Sequence, residues 1–192
     1  MTTANKITIS RMLLVPVFIV LALYYVGTDI EWFRFWSILC FALMALGDGL
    51  DGYIARHYNQ CSELGTVLDP LADKLLLISA VVILSLDSHS HFVRIPLWLT
   101  GIILGRDMLL VIGVAVLHYM AGKASVRPRF SGKLATVLQM ATVLWILLQW
   151  DPGALSWLAR LTAVFTGISG LFYLMDWIKQ LSAHPSSAPS KI

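Results

Sequence analysis

An all-α, polytopic membrane protein with six transmembrane helices is the fold this sequence predicts, and three observations predict it. Of 192 residues, 58% are hydrophobic and 13% charged, with a mean hydropathy of +0.77, outside the range of soluble globular chains. Six apolar runs of roughly the ~20 residues that span a bilayer fill the chain, separated by short connections. Lysine and arginine collect in alternate connections, the bias that orients membrane proteins.

The first run, about Ile9 to Val26, follows Lys6 and Arg11, carries Pro16 and aromatic residues, and lacks a small-residue cleavage site, so it reads as a retained span. The second and third, Trp32 to Leu50 and Val67 to Leu86, bear aspartates toward the ends that face each other in sequence. The fourth, Pro96 to Tyr119, contains Arg106 and Asp107; the fifth is Leu134 to Trp150. The sixth, Leu155 to Ile178, contains Gly167 and Gly170, read as points of close helix packing. Trp32, Trp36, Trp98, Trp150 and Trp157 stand near run ends, where tryptophan anchors a span at the interface.

With alternating helices, Lys6, Arg11, Arg56, Lys123, Arg127, Arg129, Lys133, Lys179 and Lys191 share one side, which is expected to be cytoplasmic together with both termini. The opposite connections hold Asp29, Glu31, Arg34, Asp87, His89, His91, Arg94 and Asp151. Residues 1–181 read as one membrane domain. Residues 182–192, rich in proline and serine, read as a disordered tail. The net charge of +3 accompanies no basic stripe, so nucleic-acid binding is excluded. Cys40 and Cys61 form neither a disulfide framework nor a metal spacing, and His89 and His91 read as solvated surface.

Chemistry concentrates in GDGLDGYIARHYNQCSELGTVLDPLADKLLL, Gly47 to Leu77, which carries Asp48, Asp51, Asp69 and Asp73. A carboxylate at the centre of a span costs about 2.5–3.5 kcal/mol, less near the interface. Several such groups weigh heavily against a total stability of roughly 5–15 kcal/mol, so something must compensate them. At 100° per residue, Asp48, Asp51, Gly52 and Ala55 share one helical face with Arg56 beside it, and Gly65, Asp69, Ala72 and Asp73 share another. Small residues in both stripes allow a close approach. Converging carboxylates stay ionised when cations lie between them, and an all-oxygen set without His or Cys suits Mg²⁺ or Mn²⁺. Two such ions clamp the attacking and leaving oxygens of a phosphoryl displacement. Pro70 sets a competing expectation, in which Asp69 caps the third helix and Gly65 lies outside it; the stripe is the preferred reading.

Asp48-x2-Asp51-Gly52-x2-Ala55-Arg56-x8-Gly65-x3-Asp69-x3-Asp73 resembles the signature of the CDP-alcohol phosphotransferases at every defined position, and Asn5-x2-Thr8-x2-Arg11 is similar to that family's amino-terminal segment. The resemblance implies a homodimeric membrane enzyme that moves a phosphoryl-bearing group from a CDP-linked donor to an alcohol and releases CMP; with the charge bias, its site is expected at the cytoplasmic face of the plasma (inner) membrane, an organellar membrane being the alternative. It implies Asp48, Asp51 and Asp69 as metal ligands and Asp73 as general base and further ligand. It also implies that Gly52, Ala55 and Gly65 line the CDP pocket and that Arg56 supports the diphosphate.

The run Asp69 to Lys74 resembles the branch that uses CDP-diacylglycerol and a glycerol-type acceptor, with Arg106, Arg127, Arg129 and Lys133 as candidate contacts. Val114 and Ala135 stand where a branch accepting glycerol 3-phosphate commonly carries positive charge. Their loss favours phosphatidylglycerol, as in cardiolipin synthases; glycerol 3-phosphate is the alternative. Against these contacts stand blander readings: a structural Arg106–Asp107 ion pair, a basic loop held on anionic lipid, and Lys74 as a counter-charge. A cation transporter is the rival class, opposed by the clustering of all four aspartates toward one surface.

Overall fold

A computed structural model of the chain describes residues 3–57, 63–86, 94–121 and 130–182, with side chains at 9–47, 72–85, 94–113, 115–116 and 130–179. The described residues form six helices and no strand: α1 (Thr3–Thr28), α2 (Glu31–His57), α3 (Glu63–Leu86), α4 (Leu97–Ala121), α5 (Phe130–Leu147) and α6 (Pro152–Ser182). Among these residues, Ile9–Thr28, Phe130–Leu147 and Pro152–Lys179 are long and apolar enough to cross a membrane by length and composition. The other three helices have 27, 24 and 25 residues. At about 1.5 Å per residue these three exceed the ~30 Å hydrocarbon core in length.

Helix ends depart from the apolar runs because hydrogen bonding, not hydropathy, sets them. α2 continues past Leu50 through the polar residues to His57, and α3 begins at Glu63, four residues before its run. α1 stops where Asp29 turns left-handed (φ 57°) and donates its N–H to the Tyr25 carbonyl at 2.9 Å. α5 stops at Leu147, short of Trp150, because Gln149 is left-handed (φ 53°) and the Trp150 N–H returns to the Trp145 carbonyl. Asp151 then caps α6, its Oδ2 accepting the Ala154 N–H at 2.8 Å, with Pro152 at the first helical position.

The chain forms two compact units, residues 1–95 with 140–155, and residues 96–139 with 156–192. In the first, α1 packs on α2 and α3, and α2 on α3. The α1 stripe Arg11, Val15, Phe18, Ala22 and Tyr25 is buried at steps of four, three, four and three residues. Phe18 meets Phe41 of α2 with ring centroids 5.8 Å apart, beside Cys40 and Met44. α3 contributes Ala72, Leu76, Leu77, Ala80, Val81 and Leu84. Away from these ends, Gln149 Nε2 donates to the Tyr25 hydroxyl at 3.0 Å.

The second unit buries polar groups in place of a purely apolar seam. Thr162, Thr166 and Ser169 follow one another along α6 at 0% exposure. Gln139 of α5 donates through Nε2 to the Thr166 hydroxyl at 3.1 Å, and the Thr162 hydroxyl donates to the Leu158 carbonyl at 2.8 Å. Trp177 packs with Tyr173, Leu110 and Leu174. Its ring occupies the space above Gly113, where a Cβ would lie 2.1 Å from Cζ2. The close packing expected of two α6 glycines holds at Gly170, whose Cβ would stand 3.6 Å from Arg106 Cγ. It does not hold at Gly167, where a Cβ would meet nothing within 4 Å. The five tryptophans near the run ends are partly or largely exposed.

Candidate active site

α2 runs without a break through Asp48 and Asp51, three residues apart, and α3 through Asp69 and Asp73, four apart. Pro70 lies inside α3, and Gly65 falls within its first turn. Of the two expectations for this segment, the continuous helix is therefore the one observed. Pro70 is the eighth residue of α3 and leaves the Thr66 carbonyl without its i+4 donor, a loss that membrane helices accommodate.

The buried seams lead to these positions. Met44 and Gly47 belong to the buried stripe of α2, and one helical turn further along that stripe come positions 48 and 51. Ala72 and Leu76 belong to the buried stripe of α3, and position 69 precedes Ala72 by three residues on it. α2 and α3 are in contact, and both aspartate-bearing segments continue the helices that make it. The surroundings of Asp48, Asp51, Gly52, Ala55, Arg56, Gly65 and Asp69 lie outside the described side chains, as does Val114; Arg127, Arg129, His89, His91, Cys61 and residues 183–192 lie outside the described residues.

Asp73 is described, and it is held from another helix. Arg11 of α1, 4% exposed, donates Nη2 to Asp73 Oδ1 in an ion pair, while the Asp73 side chain is 23% exposed. The Arg11 side chain crosses α2 at Gly47, where a Cβ would lie 2.9 Å from Arg11 Cδ and 3.4 Å from Cγ. Sequence reasoning quoted Arg11 in a motif but gave it no partner. The signal was an arginine at the start of an otherwise apolar span, which must find an anion.

Arg106 and Lys133 belong to the second unit. Arg106 is 6% exposed, donates Nη1 to Asp107 Oδ1 at 2.7 Å and Nη2 to Ser169 Oγ at 3.1 Å, and lies over the Tyr173 ring at 5.5 Å. Its Nε has no hydrogen-bond partner. Gly132 makes room for this group, since a Cβ there would stand 2.8 Å from the Tyr173 hydroxyl and 3.3 Å from Arg106 Nη2. The structural ion pair is thus present. Lys133, next to Gly132, is exposed, whereas Ala135 is 0% exposed. Ser169, Tyr173 and Gly132 went unread because nothing in their spacing marks them as partners of Arg106.

The donor set on α2 and α3 is carboxylate oxygen throughout, on two continuous helices in contact, which fits a hard divalent cation.

The model of the CDP-alcohol phosphatidyltransferase family matches residues 1–169. The proteins named CDP-diacylglycerol--glycerol-3-phosphate 3-phosphatidyltransferase of Escherichia coli (strain K12) and Shigella flexneri serotype 5b (strain 8401) are each 28% identical to this chain over 177 residues, 92% of this chain and 91% of the relative. The family match runs through the whole aspartate segment and beyond Arg106, Lys133 and Thr166. An all-helical chain with membrane-length helices, carrying that segment on two packed helices, belongs to the CDP-alcohol phosphatidyltransferase family and is an enzyme of phosphatidyl transfer.

Proposed function

We propose that this enzyme moves the phosphatidyl group of CDP-diacylglycerol to glycerol 3-phosphate, releasing CMP at the cytoplasmic face of the membrane. The observation that carries the acceptor is the activity for which the relatives are named; these are similar to this chain over nearly their whole length. It favours the second of the two acceptors weighed from the sequence. The sequence argument for phosphatidylglycerol rested on charges absent at Val114 and Ala135. Ala135 is packed inside its unit, so a charge missing there says little about an open binding surface. Lys133, exposed at the start of α5, with Arg127 and Arg129 just before it, supplies the charge that a phosphate dianion requires.

In this reading Asp48, Asp51, Asp69 and Asp73 hold divalent cations, Mg²⁺ or Mn²⁺, in keeping with the family's general dependence on such ions. When bound, the ions neutralise the donor diphosphate and stabilise the charge that develops on the leaving oxygen. Gly52, Ala55 and Gly65 leave backbone-close space for the CDP moiety, and Arg56 pairs with its diphosphate. The acceptor's primary hydroxyl attacks the phosphatidyl phosphorus. The bond from that phosphorus to the oxygen bridging to CMP breaks, CMP leaves with the electron pair, and Asp73 accepts the hydroxyl proton.

Six spans with both termini inside place the basic connections, the aspartate segment and the water-soluble products on one side. The test is product identity: purified protein receives CDP-diacylglycerol, Mg²⁺ and either glycerol 3-phosphate or phosphatidylglycerol, and lipids are read by mass spectrometry. Phosphatidylglycerophosphate is the expected product. Cardiolipin formed from phosphatidylglycerol, with no product from glycerol 3-phosphate, would overturn the acceptor assignment.

A further inference from the structure

We infer that Arg11 is a positioning residue for the transfer reaction, holding the Asp73 carboxylate in its working orientation across the α1–α3 contact through a slot that Gly47 keeps open. This rests on the role proposed for Asp73 and goes beyond it by naming what orients that group.

Three observations carry the inference. Arg11 is buried on the same α1 stripe as Val15 and Phe18, so its side chain is committed to the helix interface rather than to the membrane surface. A guanidinium in that setting requires an anion, and Nη2 donates to Oδ1 of Asp73. The route is shaped for it. At Gly47 a Cβ would come within 2.9 Å of Arg11 Cδ, in the middle of the side chain rather than at its mobile end, so any larger residue there displaces the arginine.

An aspartate carboxylate rotates easily about its last torsion. Holding Oδ1 from outside α3 fixes that rotation and leaves the group aimed by the packing of α1, α2 and α3 rather than by its own helix. The same bond links the aspartate segment of α3 to α1, and Gly47 immediately precedes Asp48 of α2. One interaction therefore ties together α1, α2 and α3 where the site is proposed. A carboxylate needed only for charge would be served by an arginine at any nearby position. One needed in a particular orientation requires a buried, guided contact.

The experiment compares Arg11→Met, Arg11→Lys, Gly47→Ala, Asp73→Asn and the Arg11→Met/Asp73→Asn double variant in detergent-solubilised full-length protein. CMP release gives kcat and KM for CDP-diacylglycerol, and the thermal midpoint is read without added metal. Arg11→Met is expected to lower kcat about a hundredfold while KM moves less than about threefold. Arg11→Lys should recover part of kcat, and Gly47→Ala should lower it although the charge is retained. In the Asp73→Asn background, Arg11→Met should lower kcat no further, and the thermal midpoints should be non-additive in the same way. If Arg11→Met lowers the thermal midpoint and leaves kcat intact, the pair is structural and the inference fails while the role of Asp73 stands. Full turnover in Asp73→Asn would remove both. If Arg11→Met does not fold, Gly47→Ala and Arg11→Lys decide, and normal kcat in both overturns the inference.

Discussion

Each unit of the molecule buries an arginine against an aspartate, and the two pairs are built on opposite plans. Arg11 and Asp73 stand 62 residues apart and join α1 to α3, with the carboxylate side chain 23% exposed. Arg106 and Asp107 are neighbours on α4, both nearly closed to their surroundings, with side chains 6% and 4% exposed. An adjacent pair neutralises charge within its own helix and ties nothing together. What binds α4 to its neighbours is the remainder of the guanidinium: the Ser169 hydroxyl, the Tyr173 ring and the space at Gly132. The cross-helix pair is itself the tie, and its carboxylate side chain stays 23% exposed. Burial with a local partner suits a structural charge, whereas partial exposure with a distant partner suits a working one.

That contrast can be broken at the second unit. Arg106→Met removes the guanidinium from a closed pair and leaves the Asp107 carboxylate facing its desolvation cost, so unfolding in detergent should become easier by about 3–5 kcal/mol. A loss below about 1 kcal/mol would show that Arg106 is not the structural charge its burial indicates. A smaller effect sharpens the comparison of packing. Gly113→Ala forces a methyl group into the Trp177 ring and should destabilise by about 1–3 kcal/mol. Gly167→Ala, which meets nothing within 4 Å, should stay within about 0.5 kcal/mol. Equal effects at the two glycines would contradict the packing described for α4 and α6.

The same contrast explains what was legible in the sequence. Six helices followed from apolar runs, because hydrophobic length is a property of consecutive residues. The aspartate segment could be read for the same reason: spacings of three and four fix positions on a helix without tertiary information. The Arg106–Asp107 pair was visible as adjacent letters. The Arg11–Asp73 pair was not, since a contact across 62 residues depends on which helices pack and in what register. The ends of α1 and α5 were missed because Asp29 and Gln149 adopt left-handed conformations without glycine, against the usual steric preference. Gly167 and Gly170 look alike in sequence, and only the position of Arg106 separates them.

The central claim is that the aspartates of α2 and α3 carry metal-dependent phosphatidyl transfer. The most direct test is CMP release from CDP-diacylglycerol and glycerol 3-phosphate by purified protein with Mg²⁺, with EDTA, and in the Asp51→Asn variant, alongside the thermal midpoint of each sample. The account predicts release that EDTA abolishes and added Mg²⁺ restores, and background release from an Asp51→Asn protein that remains folded. Near-normal release from folded Asp51→Asn, or release indifferent to EDTA, would contradict it.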